Sequence, residues 1–176
     1  MEIFFEGIIL RPWSITDAPK LALIADNKKI ADNLRDGFPF PYSLKDAKDW
    51  LNLILPENNP PRFFAITIDK QLIGSIGIVA KTDIYRKNFE IGYFLSEEFW
   101  GKGITTRAIK AATSYAFRDF DIVRIYAEPF SDNSGSRRAL EKAGFRLEAT
   151  LKSNVIKNGF IKDSCIYSIL REDCKC

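Results

Sequence analysis

The sequence predicts a mixed α+β fold of about seven strands and four to five helices, and three stretches carry that prediction. Residues 89–95 are rich in aromatic and β-branched side chains, as a strand inside a sheet should be. Ile104, Ala108, Ala111, Ala112 and Tyr115 then recur at helical spacing, and residues 122–127 read as a second strand. Strand, helix and strand at this distance imply a parallel pair joined by a right-handed crossover. Hairpins come before and after it: residues 62–68 and 72–80 join through Asp69-Lys70-Gln71, and residues 145–156 and 160–170 turn at Asn158-Gly159.

The other elements follow from local signals. Residues 7–12 read as the first strand, and Thr16 caps a helix to about residue 25 whose buried side is Ala18, Leu21, Ala22 and Ile24. A short helical piece covers residues 28–34. Phe38-Pro39-Phe40-Pro41-Tyr42 is an aromatic loop, because its prolines lack the N–H that helix and sheet require. Ser43 caps a helix over residues 44–55 with Ala47, Trp50, Leu51 and Ile54 as its inner stripe. Residues 81–88 form a polar connector. Asp132-Asn133 opens the last helix, and Gly144 ends it.

Composition bounds the function. With 176 residues, 46% hydrophobic and 28% charged, the chain is expected to be one soluble domain over residues 1–176. No apolar run approaches a membrane span and the first residues lack a signal-peptide pattern, so a cytoplasmic location is expected. A net charge of +3 is too small to imply nucleic acid as a partner. Three cysteines, Cys165, Cys174 and Cys176, make neither a disulfide framework nor a zinc site, and Cys174-Lys-Cys176 is read as a frayed tail. Histidine is absent, so a general base must be a carboxylate, a tyrosine or water.

Gly101-Lys102-Gly103 stands where a strand has just ended and a helix begins. Such a turn offers unpaired backbone N–H groups and the positive end of a helix dipole, which together bind phosphate. Equally, the glycines meet the need of any tight turn for positive φ. A dinucleotide fingerprint would need a third glycine where Thr106 stands, and no Gly-x-x-x-x-Gly-Lys-Ser/Thr loop is present. A nucleotide-bearing ligand other than NAD or ATP is favoured.

Residues 89–106 resemble the central motif of the GNAT superfamily, the acyl-CoA N-acyltransferases, whose pattern is Gln/Arg-x-x-Gly-x-Gly/Ala. Its six positions are Trp100, Gly101, Lys102, Gly103, Ile104 and Thr105. Trp100 and Thr105 depart from the pattern, and Trp-Gly-Lys-Gly is similar to the branch of the RimJ and RimL ribosomal-protein acetyltransferases. Leu10-Arg11-Pro12, Asp17-Ala18 and the Phe40-Pro41-Tyr42, Asp46-Ala47 and Trp50 run resemble the same branch. Asn133-x-x-Ser136 followed by Gly144-Phe145 resembles the second family signature, so the likeness covers nearly the whole chain.

The resemblance implies a sheet whose central parallel pair splays apart. It also implies transfer of an acetyl group from acetyl-CoA to an amine. Gly101, Lys102, Gly103, Ile104, Thr105 and Thr106 would hold the diphosphate, and the strand end at Phe94 and Leu95 would pair with the pantetheine arm. The Leu95 N–H would bind the thioester oxygen. Glu90 is the candidate base, with an ion-paired structural glutamate as the alternative. Ser136 is the candidate acid for the leaving thiolate, Asn133 a cofactor amide contact, and Arg138 (or Arg137) a partner for the ribose phosphate. Relatives acting on ribosomal proteins can carry a carboxylate near the position of Val155, which cannot serve. Phe40 and Tyr42 are expected to line the acceptor site, with core packing as the alternative.

The expected acceptor is a protein N-terminal α-amine, with a small amine, polyamine or antibiotic as the runner-up. A non-catalytic acyl-CoA-binding module and a dinucleotide-dependent oxidoreductase are the readings from other classes. The chain is expected to act as a monomer or homodimer.

Overall fold

The computed structural model describes residues 1–174; the last two residues of the expected tail, Lys175 and Cys176, lie outside them. The chain forms β1 (Ile3–Phe5), β2 (Ile8–Pro12), α1 (Ala18–Ala25), α2 (Lys28–Ala31), α3 (Leu44–Ile54), β3 (Phe63–Ile68) and β4 (Gln71–Ala80). Then come β5 (Asn88–Leu95), α4 (Ile104–Asp119), β6 (Arg124–Ala127), α5 (Ser134–Lys142), β7 (Arg146–Lys157) and β8 (Phe160–Leu170). The strands make one sheet in the order β1-β2-β3-β4-β5-β6-β8-β7, parallel only between β5 and β6.

The sequence reading missed β1, a three-residue edge strand that returns into β2 through Glu6 and Gly7, both at positive φ. It also placed the first cap at Thr16. The cap is Ser14, which forms a reciprocal capping box with Asp17 around a short 3₁₀ turn, and α1 begins only at Ala18. Both hairpins turn where expected, with Asp69 and Lys70 in one and Asn158 and Gly159 in the other at positive φ.

Period-two alternation sends neighbouring strand residues into two cores. Phe64, Ile66, Phe89, Ile91 and Leu95 pack under α4 and α5, while Ala65, Leu72 and Phe94 face α1 and α3. The alanines of α4 bring its axis close to the sheet, and the buried Tyr115 donates from its hydroxyl to the Pro61 carbonyl at 2.8 Å.

The parallel pair is short. β5 meets β6 only at Asn88↔Arg124, Phe89↔Ile125 and Glu90↔Tyr126, although β5 continues to Leu95. Beyond Ala127 the chain leaves β5 and follows β8. Ser131 N–H donates to Asp163, Cys165 N–H donates to Pro129, and Phe130 bridges Ser164. That departure opens the sheet at its centre.

Candidate active site

A cleft of about 830 Å³ fills the opening, walled by the second half of β5, the start of α4, residues 127–130 and the start of α5. A second cleft of about 710 Å³ lies between β4, β5, the aromatic loop and α3. Leu34, Arg35, Glu90, Gly92, Tyr93 and Phe94 border both, so the two spaces meet across the middle of β5.

The β5 backbone is asymmetric there. Ser96 N–H donates to Ile73 at 2.8 Å and Lys81 N–H donates to Asn88 at 3.1 Å, so the even-numbered residues of this stretch turn their backbone groups to β4. Tyr93 and Leu95 therefore direct theirs to the opposite edge, from which β6 has already departed. Leu95 turns its N–H into the opening and buries its side chain. Phe94 does not: its backbone is paired with Ser75 of β4, and its side chain lies in the second cleft against Phe38 at 5.5 Å. Tyr93 takes its place on the open edge.

Gly101 and Gly103 adopt φ of 76° and 71°, and Gly103 caps α4 without any side-chain bond. Among the described residues, no protein acceptor takes a hydrogen bond from the amides of residues 101–103, and the first-turn amides of Ile104, Thr105 and Thr106 have no partner within the helix. These donors line the cleft together with the unpaired N–H at Leu95. The site thus fits a diphosphate followed by an amide-bearing arm. Trp100, one of the two residues that depart from the family pattern, donates its indole N–H to the Leu95 carbonyl at 2.7 Å. It ties the glycine turn to the end of the strand. Lys102 stays outside the cleft wall, its ammonium 5.2 Å from the centre of the Phe99 ring.

Asn133 and Ser136 open α5 at the far wall. Asn133 Oδ1 accepts from the Ser136 N–H at 3.1 Å, a helix cap that also fixes Ser136 in place. The Ser136 hydroxyl lies 2.8 Å from the hydroxyl of Tyr93. Burial pushes the Tyr93 phenol well above its ordinary value, against the hydrogen bond to Ser136, so it remains protonated. Sequence reasoning missed Tyr93, since nothing marks a strand tyrosine as facing a helix 43 residues away. The two arginines part company: Arg138 lines the cleft, whereas Arg137 donates to the Tyr167 hydroxyl and the Ser131 carbonyl.

Glu90 sits at the junction of the clefts, held by Arg35 at 2.5 Å and Lys81 at 2.6 Å. Tyr42 lines the second cleft, 7% exposed and 4.8 Å from Phe38, and burial together with Asp46 pushes its phenol up to about 12. Phe40 does not line it. Phe38 and Tyr42 fill the inward space and leave Phe40 between them, 48% exposed. Trp50 both borders the cleft and packs edge-on against Trp13 and Phe63. The cleft floor is bare where Gly77 pairs with Gly92; a Cβ at Gly92 would meet nothing within 4 Å.

A family model described as an acetyltransferase (GNAT) domain matches residues 8–146. The chain is 33% identical over 177 residues to the putative ribosomal N-acetyltransferase YdaF of Bacillus subtilis, covering 96% of this chain and 93% of the relative. It is 28% identical over 165 residues to spermidine N(1)-acetyltransferase of Escherichia coli, covering 92% and 86%. Its fold superposes on that of RimL, a ribosomal L7/L12 α-N-protein acetyltransferase solved with coenzyme A, at a TM-score of 0.87 and 22% identity over 97% and 98% of the two chains. With its splayed central pair, free helix-start amides and this matched model, the chain belongs to the GNAT family and is an acetyl-CoA-dependent N-acetyltransferase.

Proposed function

We propose that the acceptor is a protein N-terminal α-amine or a similarly weakly basic small amine. The observation that carries this reading is the state of Glu90. Each of its carboxylate oxygens is already bonded to a cation, Oε1 to Arg35 and Oε2 to Lys81. An α-amine, with a pKa near ~8, is partly neutral at neutral pH and needs little help, whereas a lysine amine near ~10.4 needs a strong base. An open cleft of about 710 Å³ between the aromatic loop and β4 also suits an extended peptide terminus. We therefore read Glu90 as a holder of charge, in place of the base expected from the resemblance, with water taking the amine's proton.

Bound acetyl-CoA supplies the acetyl thioester. The amides of residues 101–106 hold the diphosphate, and Arg138 is available to the ribose phosphate at the cleft wall. Leu95 N–H is fixed as a donor for the carbonyl oxygen, the contact whose removal typically costs about 10²–10³ in rate. Ser136 and Tyr93 present two joined hydroxyls beside the same edge, so the Ser136 hydroxyl is positioned by the phenol to donate a hydrogen bond to the leaving sulfur. Thr105, Thr106 and Asn133 shape the wall around these donors.

Release of free CoA, measured across peptides with free and blocked N-termini, tests the assignment. Free α-amines should turn over, with a rate that rises as pH passes ~8 and the amine loses its proton. Turnover confined to peptides with a blocked N-terminus and a free lysine would overturn it. Cofactor binding without turnover of any amine would make the chain an acyl-CoA-binding module.

A further inference from the structure

Three residues stand in one row across the sheet. Phe63 of β3 pairs with Gly77 of β4, and Gly77 pairs with Gly92 of β5. Directly paired residues share a face, so two positions without side chains lie beside the Phe63 ring. That ring leans over the nearer one. A Cβ built at Gly77 would come within 2.6 Å of Phe63 Cδ1, and Gly77 is buried. Gly92 has no such cover. A Cβ there meets nothing within 4 Å, and the residue is exposed although β5 runs through the middle of an eight-stranded sheet. β6 does not supply the cover, since its pairing with β5 stops at Glu90↔Tyr126.

The surroundings of the bare position suit a ring. Along β5 the same face carries Glu90 on one side and Phe94 on the other, about 13 Å apart at ~3.3 Å per residue, a gap that takes one aromatic side chain. Glu90 closes its end, tied to Arg35 and Lys81, with Arg35 reaching on to Glu128 at 3.1 Å. At the other end Phe94 stands edge-on to Phe38 at 5.5 Å, and across the row Phe63 stands edge-on to Trp50 at 6.2 Å. A further ring would extend both edge-to-face series. It would also restore the packing that a strand glycine forfeits.

We propose that Gly92 is the floor of a subsite for an aromatic side chain, carried by the first residue of the acceptor, which covers the strand as Phe63 covers Gly77. This rests on the reading of the second cleft as the site of an α-amine, and it gives the residue bearing that amine a chemical class. The slot is continuous with the open edge, because Gly92, Tyr93 and Phe94 border both clefts. Gly92 lies three residues, ~10 Å along β5, short of Leu95. A first residue whose amine approaches that edge thus lays its own side chain back onto the glycine.

Three peptides differing only in a first residue of Phe, Leu or Ala test this, by calorimetric titration into the CoA-saturated protein and by release of CoA from acetyl-CoA. Affinity and kcat/KM should rank Phe, Leu, Ala, with Phe about tenfold or more above Ala and about threefold above Leu. Ala is at least as compatible with a strand as Gly, so Gly92→Ala should melt like the parent. Its methyl group occupies the slot, and the ratio of Phe to Ala should fall to about two or below. Equal use of Phe and Ala, Leu matching Phe, or a Phe preference that Gly92→Ala leaves intact overturns the proposal. Butyryl-CoA used faster than acetyl-CoA, with Gly92→Ala reversing that order, would give the slot to the donor's acyl chain and overturn it as well. Binding ranked as expected without acetylation of the α-amine would sink the α-amine reading alone. Acetylation of all three peptides at one kcat/KM would sink the subsite alone.

Discussion

The two clefts that meet on β5 are made of different material. The one beneath the start of α4 offers backbone: amides at a glycine turn, a strand edge without a neighbour, and a capped helix start. The one beneath the aromatic loop offers side chains, with Glu90, Arg35 and Lys81 on one wall and Phe38 and Tyr42 on the other. Backbone donors tolerate change in the residues that carry them, provided the turn survives. A side-chain wall changes its preference with each substitution. The first cleft thus suits one invariant ligand, and on the function proposed above the second is where acceptors would be told apart.

The contrast is broken most severely at Gly92, the shared floor. Its Cβ position is open and β-branched residues favour strands, so Gly92→Val should fold and melt like the parent. It intrudes into the acceptor path, and a misplacement of about 1 Å costs roughly 10²-fold in rate, so kcat/KM for the amine should drop by about that factor. The CoA dissociation constant should move far less.

The converse change is Gly103→Val. A β-branched residue at φ of 71° is strained by about 1–3 kcal/mol, and relief of that strain pulls the amides out of line. CoA affinity should weaken about tenfold or more by calorimetry. If affinity is retained, the backbone account of this cleft is wrong.

Tyr93→Phe sharpens the boundary between binding and chemistry. The ring still packs, but Ser136 loses its hydroxyl partner, and kcat should fall about tenfold with CoA affinity nearly unchanged. The effect should be smaller than loss of an oxyanion donor, because a thiol of pKa about 8.5 leaves readily.

The smallest expected effect is on stability. Tyr42 is raised from 10 to about 12 in the fold, so its contribution is complete below pH 10 and is lost as pH climbs from 10 towards 12. The urea midpoint should decline over that window, and Tyr42→Phe should lessen the decline. An unchanged decline would assign it to other groups.

Legibility in the sequence follows the same divide. The glycine turn, the α5 cap and both hairpins are local, encoded by residues within a few positions of one another, and they stand where the sequence reading places them. Leu95 was reached only through the family resemblance, and it is the pairing of β5 with β4 that shows which edge its amide faces. The charge cluster was not. Residues 35, 81, 90 and 128 share no local pattern, and only the pairing of β4, β5 and β6 brings them together. Phe40 and Tyr42 looked alike in sequence, and packing against Phe38 distinguished them. β1 escaped because three residues at a sheet edge carry too little periodicity to register.

The bond from the Trp100 indole to the Leu95 carbonyl behaves as a caliper. It sets the span between the two ends of one long ligand, so a slackened turn also misplaces the reacting end. Lengthening the helix-start loop by a residue should hence slow catalysis even where the ligand is still retained.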